Sequence, residues 1–211
     1  MTIGLCGAHR TGKTSLARAY AEKHGIAFVE TPVSAIFREL GHDPAATFDF
    51  KTRLDIQEVI LTRLDQVYGA LNPAELAITD RTPIDMLGYT MSEAIGEAVS
   101  VADQERFKKY VERCFEVTNR RFSTLVLVQP GIPLVAAEGK AVMNAAYIEH
   151  LNSLMLGLSV DQRVKMPHYY IPRQRLKMED RLAALENAVG RSTHMQMHES
   201  HSWREAGGFM Q

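Results

Sequence analysis

Short apolar segments alternate with longer amphipathic ones along most of this chain. Five apolar segments have the length of buried strands and are rich in aliphatic residues. They lie at residues 2–6, 26–30, 76–80, 124–129 and 168–172. Enough chain separates each segment from the next for a crossover helix, which is typical of parallel βα units.

Apolar residues recur at helical spacing in four of the segments that follow these strands. The recurring positions are Ile56, Val59, Ile60, Leu64, Val67 and Leu71; Phe107, Val111, Cys114 and Phe115; Tyr147, Leu151, Leu154, Met155 and Leu158; and Met178, Leu182, Leu185 and Val189. We therefore predict a three-layer α/β/α domain over residues 1–190, with a five-stranded parallel sheet covered by helices on both faces. The periodicity fades after residue 190, so residues 191–211 are predicted to be a flexible C-terminal tail.

Composition narrows the class of protein only slightly. The chain has 211 residues and a formal net charge of −1, which gives no general sign of a nucleic-acid or membrane partner. No apolar run approaches the ~20 residues of a membrane span, and the first residues do not resemble a secretory signal. Cys6 and Cys114 lie on a predicted strand and a predicted helix, so we expect reduced core thiols and a cytoplasmic protein.

The stretch GAHRTGKT at residues 7–14 matches the phosphate-loop pattern G-x-x-x-x-G-K-[ST], with a strand before it and a helix after it. Gly7 and Gly12 permit backbone angles that let successive N–H groups point into one concavity. Lys13 supplies positive charge to the β- and γ-phosphates, and the Thr14 hydroxyl can coordinate Mg²⁺. The fold is therefore predicted to be of the P-loop NTPase type, with ATP and Mg²⁺ as cofactors. The predicted ATP-binding residues are Gly7, Ala8, His9, Arg10, Thr11, Gly12, Lys13, Thr14 and Ser15.

Two further strands end in carboxylates. Glu30 ends the second predicted strand, and Asp80 ends the third and is followed by Arg81. Ligands of open α/β sheets bind beyond the carboxyl ends of the strands, so both acids are expected at the same crevice as the phosphate loop. This requires the strand that carries Asp80 to lie beside the first strand.

These motifs together resemble the P-loop kinases of nucleosides and nucleoside monophosphates. Val29-Glu30-Thr31-Pro32-Val33 is similar to the Glu-Pro-Val segment of deoxynucleoside kinases, whose glutamate is the general base on the substrate hydroxyl. Asp80-Arg81-Thr82 resembles their Glu-Arg-Ser and the Asp-Arg-aromatic of thymidylate kinases, in which the acid holds Mg²⁺ through water and the arginine binds phosphates. Gln57 lies where deoxynucleoside kinases carry a glutamine that reads the base. The resemblance extends to small AAA-like kinases such as the ribosylnicotinamide kinase domain.

The resemblance implies an ATP- and Mg²⁺-dependent transfer of the γ-phosphoryl group to a nucleoside or a nucleoside monophosphate. Lys13, Glu30, Asp80 and Arg81 are the expected catalytic residues. Glu30 and Arg81 would also bind the acceptor together with Gln57, and Thr14 and Asp80 would hold the metal.

One part of the family pattern is missing. Related kinases carry several arginines on a lid after the fourth strand, but residues 130–161 contain none, and Lys140 is their only lysine. Either Lys140 replaces the lid arginines or the charge comes from elsewhere. The candidates are Arg120, Arg121, Arg173 and Arg175.

Two alternatives stay open. A kinase that acts on a hydroxymethylated base in DNA would use the same chemistry with a basic groove for the strand. The candidates for such a groove are Arg163, Lys165, Arg173, Arg175, Lys177 and Arg181. A non-kinase ATPase or nucleotide switch is the other alternative, although the base-reading motif Asn-Lys-x-Asp of G proteins is absent from the sequence. DNA is not the favoured partner, a membrane is not expected, and a homodimer is left open.

Overall fold

A computed structural model describes residues 1–44, 46–72, 74–94, 98–134 and 144–207, with side chains through Met195. Its five strands are β1 (Thr2–Cys6), β2 (Ala27–Val29), β3 (Ala77–Thr79), β4 (Thr124–Val128) and β5 (His168–Ile171). All neighbours pair in parallel, in the order β2-β3-β1-β4-β5. Every strand lies within its predicted segment, so the five-stranded parallel sheet is confirmed.

Helices cover both faces of the sheet. They are α1 (Lys13–His24), α2 (Val33–Glu39), α3 (Phe50–Gly69), α4 (Pro83–Glu93), α5 (Val101–Arg121), α6 (Ala145–Ser159) and α7 (Met178–Gly207). One apolar cluster joins α1 and α7 to the sheet, and a second joins α3, α4, α5 and α6 to its opposite face. A third cluster packs α2 against α3 and α4. The three-layer α/β/α architecture is therefore confirmed, and the four periodic segments form α3, α5, α6 and α7.

The last helix is longer than predicted. It continues to Gly207, past the boundary placed at residue 190. Ser192 is fully buried, and its hydroxyl lies 2.5 Å from that of Thr124 on β4. Small polar residues can therefore continue the packed face of a helix after its apolar periodicity has ended. The flexibility of residues 191–211 stays a prediction, but residues 191–207 are helical.

The two cysteines are free and buried. Burial raises the pKa of the Cys114 thiol to about 12, so this thiol is protonated at neutral pH. Both thiols behave as small apolar groups of the core, as the sequence predicted. Among the described residues, no helix combines the length and the apolar character needed to cross a membrane.

Gly4 lets β1 occupy the centre of the sheet. It pairs with Thr79 of β3 on one side and with Leu125 of β4 on the other. A Cβ atom at this position would lie 2.5 Å from Thr82 Cγ2 and 2.7 Å from Phe122 Cδ1. These side chains approach the central strand closely because position 4 has no side chain, and Thr82 belongs to the segment that carries the candidate site.

We expect Gly4→Ala to lower the free energy of unfolding by about 1–3 kcal/mol, because the added methyl overpacks a core that cannot yield. Gly157→Ala is the matched control, since a Cβ on this exposed glycine of α6 meets nothing within 4 Å. The control should stabilise the protein by up to about 1 kcal/mol through the better helix propensity of alanine. Urea unfolding of both variants measures the two effects. A wild-type midpoint for Gly4→Ala would contradict the close packing described here.

Candidate active site

The loop between β1 and α1 has the backbone of a phosphate-binding nest. Gly7 and Gly12 have positive φ angles of 142° and 79°. A Cβ on Gly7 would lie 2.6 Å from the carbonyl oxygen of Val128, so glycine is required there. Arg10 also has a positive φ of 64°, an uncommon conformation for a residue with a side chain. The loop directs the N-terminus of α1, which attracts anions, into its concavity.

Lys13 is held inside this loop. Its Nζ donates to the carbonyl oxygens of Gly7 at 2.6 Å and Ala8 at 2.7 Å. Burial lowers the pKa of Lys13 to about 8, and the negative charge of Asp85 opposes part of this shift. The ammonium group of Lys13 thus donates to carbonyl oxygens of its own loop, at the place where a phosphate would bind.

Asp85, which was not among the predicted site residues, fixes the start of the loop through a hydrogen bond with Gly7. Its Oδ1 accepts the Gly7 N–H at 3.0 Å and lies 3.9 Å from Lys13 Nζ. Its Oδ2 accepts the backbone N–H of Thr82 at 2.8 Å and the Thr82 hydroxyl at 3.0 Å. Burial raises the pKa of Asp85, and the positive charge of Lys13 opposes that rise. Thr82-Pro83-Ile84-Asp85 has the spacing of a capping box at the start of a helix, so the sequence predicts only a local role for Asp85. Its contact with Gly7, far away in the chain, cannot be predicted from this motif.

Asp80 meets the phosphate loop as predicted. The hydroxyl of Thr14 donates to Asp80 Oδ2 at 2.6 Å. Asp80 Oδ1 accepts from the backbone N–H of Thr31 at 3.3 Å and from its hydroxyl at 3.1 Å. The pairing of β3 with β1 brings these groups together, which confirms that the strand carrying Asp80 lies beside the strand of the phosphate loop.

The Thr14–Asp80 pair fits a magnesium ion that arrives with a nucleotide. Mg²⁺ prefers oxygen ligands at about 2.0–2.1 Å in octahedral geometry, so adjacent ligands lie about 2.9 Å apart. The two oxygens, 2.6 Å apart, need to separate only slightly. Within the described residues no group of three or more His, Cys, Asp or Glu side chains can hold a metal. Phosphate oxygens and water would therefore complete the coordination, as is usual for Mg²⁺ in nucleotide sites.

Glu30, predicted to be catalytic, is not brought to this cluster. Its carboxylate is exposed and pairs with Arg18 of α1 at 3.2 Å. The Arg18 guanidinium also lies over the ring of Phe28, 5.6 Å from its centroid. At the end of β2 it is Thr31, the next residue, that contacts Asp80. The role of Glu30 as a general base therefore stays a prediction.

Arg81 and His9 lie close to Lys13. The half-buried Arg81 side chain makes no hydrogen bond or ion pair with any described residue, and its charge contributes to the lowered pKa of both neighbours. Burial, with smaller contributions from Lys13, Arg81 and Arg10, lowers the pKa of His9 to about 4. His9 is therefore neutral at pH 7. Its backbone N–H donates to the Tyr89 hydroxyl at 2.9 Å, which ties the loop to α4.

Gln57 lies on the buried face of α3. It is 3% exposed, and its Oε1 accepts no hydrogen bond from a described residue. Buried polar atoms are rarely left without a partner, so this oxygen is a candidate to receive an N–H group from a ligand. One helical turn earlier, Arg53 is also buried and pairs with Glu93. Arg53 was not among the predicted site residues, because no motif distinguishes it from a surface arginine of α3.

A family model described as AAA domain matches residues 2–124, more than half of the chain. The chain belongs to the AAA domain family. No curated protein sequence matches it significantly.

Solved structures show that this AAA domain protein has the fold of P-loop nucleoside and nucleotide kinases. Deoxyadenosine kinase from M. mycoides matches with a TM-score of 0.59 and 18% identity, over 90% of this chain and 99% of that one. Thymidylate kinase from Candida albicans matches with a TM-score of 0.63 and 12% identity, over 91% and 92% of the two chains. NadR in complex with NR matches with a TM-score of 0.65 and 14% identity, over 92% of this chain and 50% of that one.

The protein carries a cavity of about 410 Å³ beside the phosphate loop. It opens between the loop, the end of β4, the first turn of α6 and the chain that precedes α7. The described lining residues are Arg10, Pro130, Gly131, Ile132, Leu134, Ala145, Ile148, Glu149, Arg173, Gln174 and Leu176. The volume lies within the range of small-molecule sites, about 300–1,000 Å³. Most of the wall is apolar.

The basic residues suggested as replacements for the lid arginines occupy different places in the structure. Arg120 and Arg121 both pair with Asp65 of α3. Arg173 lines the cavity and is held by Glu149 at 2.6 Å. Lys140 lies outside the described residues.

The pKa of Lys13 predicts a pH dependence of ATP binding. A phosphate favours the ammonium form, so binding takes up a proton above pH 8, where the free protein has lost it. ATP affinity should therefore fall by up to about tenfold per pH unit above pH 8. Lys13→Arg should bind more weakly but without this pH dependence, because arginine stays charged. Titration with a fluorescent ATP analogue at constant Mg²⁺, from pH 7 to pH 9.5, measures both curves. A flat wild-type curve would mean that Lys13 keeps its proton.

Proposed function

We propose that this protein is an ATP- and Mg²⁺-dependent kinase that transfers the γ-phosphoryl group to a nucleoside or a nucleoside monophosphate. The observation that carries the proposal is the 2.6 Å contact between Thr14 of the phosphate loop and Asp80 of the neighbouring strand. These two oxygens would be the magnesium ligands, next to Lys13, which would neutralise phosphate charge. Phosphoryl transfer depends mainly on such positioning and charge neutralisation.

The donor nucleotide would place its base in the cavity and its phosphates on the loop. Lys13 would exchange the carbonyls of Gly7 and Ala8 for the β- and γ-phosphates. Arg10 connects the two regions, because it belongs to the loop and lines the cavity. Its Nε is buried and has no hydrogen-bond partner among the described residues. We therefore assign to Arg10 part of the positive charge that the lid segment lacks.

Magnesium would neutralise phosphate charge and orient the γ-phosphate, with Thr14 and Asp80 as the protein groups that hold it. Asp80 is positioned for this by Thr31, whose N–H and hydroxyl occupy the other carboxylate oxygen. Thr14 follows Lys13 in the first turn of α1, so one rigid element sets both the metal ligand and the phosphate ligand.

The acceptor would lie on the opposite side of the loop, between α3 and α4. Arg81 has a guanidinium group without a partner in the described chain and would bind acceptor or transferring phosphate. Gln57 offers the unpartnered Oε1 to an N–H of a base. The solved deoxyadenosine kinase carries dCMP, dCTP or dATP in its different complexes, which supports a nucleoside or nucleotide as the acceptor class here.

The structure gives less support to a DNA substrate than to a small one. Arg163 of the suggested basic groove is engaged by Asp161 and Glu112, and Arg173 is engaged by Glu149. Arg181 is buried. The proposed enzyme would work in the cytoplasm, where ATP is available, and a homodimer remains compatible with the proposal.

The proposal is tested by offering labelled ATP and Mg²⁺ together with nucleosides, nucleoside monophosphates or hydroxymethylated DNA in parallel. We expect label in a nucleoside or nucleotide product, and a loss of at least about 100-fold in Asp80→Asn, since the metal would lose its carboxylate. Glu116→Gln, which removes an exposed carboxylate of α5, is the control and should keep wild-type turnover. Label found only in DNA would replace the proposed acceptor. Label released only as free phosphate, whichever acceptor is offered, would exclude the kinase.

A separate variant tests Glu30. Its carboxylate is exposed and paired with Arg18, so we expect Glu30→Gln to keep kcat within about threefold of wild type. A general base would instead contribute about 10²–10⁴-fold. Steady-state kinetics with the best acceptor of the panel separates these outcomes. A hundredfold loss of kcat at unchanged ATP affinity would show that Glu30 leaves Arg18 and acts on the acceptor hydroxyl.

A further inference from the structure

A buried arginine lies against the phosphate loop. Arg181, in the first turn of α7, is 3% exposed. Its Nη2 donates to the carbonyl oxygen of Thr11 at 2.5 Å. Its Nη1 approaches Gly12 so closely that a Cβ there would lie 3.0 Å away. Its Nε is buried and donates to no described residue.

Within the described chain this guanidinium has no carboxylate partner, and burial lowers its pKa. Burial of a charge without a counter-charge is costly, and a single carbonyl acceptor offsets only part of that cost. Arg53, the other buried arginine near the site, is paired with Glu93. Among the described residues Arg181 therefore lacks the counter-charge that a buried guanidinium needs and that Arg53 has.

The position of Arg181 identifies which part of a ligand it would meet. Ile132 lines the 410 Å³ cavity and would lie 3.2 Å from a Cβ on Gly12, the same glycine that Arg181 approaches. Arg181 and the cavity-lining Ile132 therefore both approach the loop at Gly12. A nucleotide with its base in the cavity and its β- and γ-phosphates on Lys13 would place its α-phosphate close to Gly12.

We infer that Arg181 binds the α-phosphate of the donor nucleotide, as a phosphate ligand separate from Lys13. The inference rests on the proposed function in one respect, namely that the cavity holds the donor base. The fork of the guanidinium suits this task, because Nη2 can keep its bond to Thr11 while Nε and Nη1 donate to phosphate oxygens.

Nucleotide binding to Arg181→Met tests the inference. Affinities for ATP, ADP, AMP and adenosine are measured through displacement of a fluorescent ATP analogue. We expect ATP, ADP and AMP to bind about 10- to 100-fold more weakly, by a similar factor, because all three carry the α-phosphate. Adenosine, which lacks it, should bind as to wild type. Arg191→Met removes an exposed arginine from the same helix and should change none of the four affinities.

Lys13→Met gives the complementary pattern. It should weaken ATP and ADP but leave AMP unchanged, because Lys13 binds the β- and γ-phosphates. An Arg181→Met variant that weakens ATP alone, or adenosine as strongly as ATP, would overturn the assignment to the α-phosphate.

A purely structural role for Arg181 is separated by thermal unfolding of the nucleotide-free variants. Methionine fills similar volume without a buried charge, so the free Arg181→Met protein should unfold within a few degrees of wild type. A marked loss of stability with unchanged nucleotide affinity would overturn the inference. If Arg181→Met does not fold, the same affinities are measured for Arg181→Lys, which keeps the positive charge but lacks the forked donor geometry of the guanidinium.

The outcomes also separate this inference from the kinase proposal. Wild-type protein that binds ATP but phosphorylates no acceptor, with the affinity losses above, would retain Arg181 and exclude the kinase. Phosphorylation of an acceptor by the wild-type protein, together with unchanged nucleotide affinities in Arg181→Met, would retain the kinase and exclude the role of Arg181.

Discussion

The buried carboxylate of Asp85 is the constraint on which the geometry of the site depends. It accepts hydrogen bonds from the first N–H of the phosphate loop and from the backbone N–H and hydroxyl of Thr82 at the start of α4. It also lies 3.9 Å from Lys13 Nζ. A charge in this position has to be compensated by donors and by a cation. The phosphate loop, Lys13 and the start of α4 therefore have to come together before the chain can bury the charge of Asp85.

The proposed site has a donor side and an acceptor side, one on each side of the phosphate loop. The loop and the first turn of α1 would hold phosphates, with the cavity and Arg181 toward α7 for the donor. Arg81, Gln57 and the α3–α4 face would lie toward the acceptor. Lys13 donates to the carbonyls of its own loop, and a bound phosphate would replace these carbonyls as the partner of the ammonium group. Burial has lowered its pKa toward neutrality, which makes its charge sensitive to what binds.

Local pattern was enough to predict the fold and the phosphate loop. The strands are short and apolar, and the glycines of the loop are required by positive φ angles that other residues rarely adopt. The position of Asp80 followed from the rule that parallel strands present their carboxyl ends at one edge. The contacts of Asp85 with Gly7 and of Arg181 with Thr11 were not predictable in this way, because 78 and 170 residues separate the partners. Glu30 follows the second strand as the sequence predicted, but local pattern does not reveal that its side chain pairs with Arg18, and its catalytic role stays a prediction.

We propose that the loop and Asp80 form one site for a magnesium-bound nucleoside triphosphate. A crystal structure with Mg²⁺ and a non-hydrolysable ATP analogue would test this proposal. We expect Lys13 Nζ to leave the carbonyls of Gly7 and Ala8 for the phosphates, and the metal to lie between Thr14 and Asp80. A nucleotide bound away from the loop, with Lys13 still on these carbonyls and Thr14 still donating to Asp80, would contradict it.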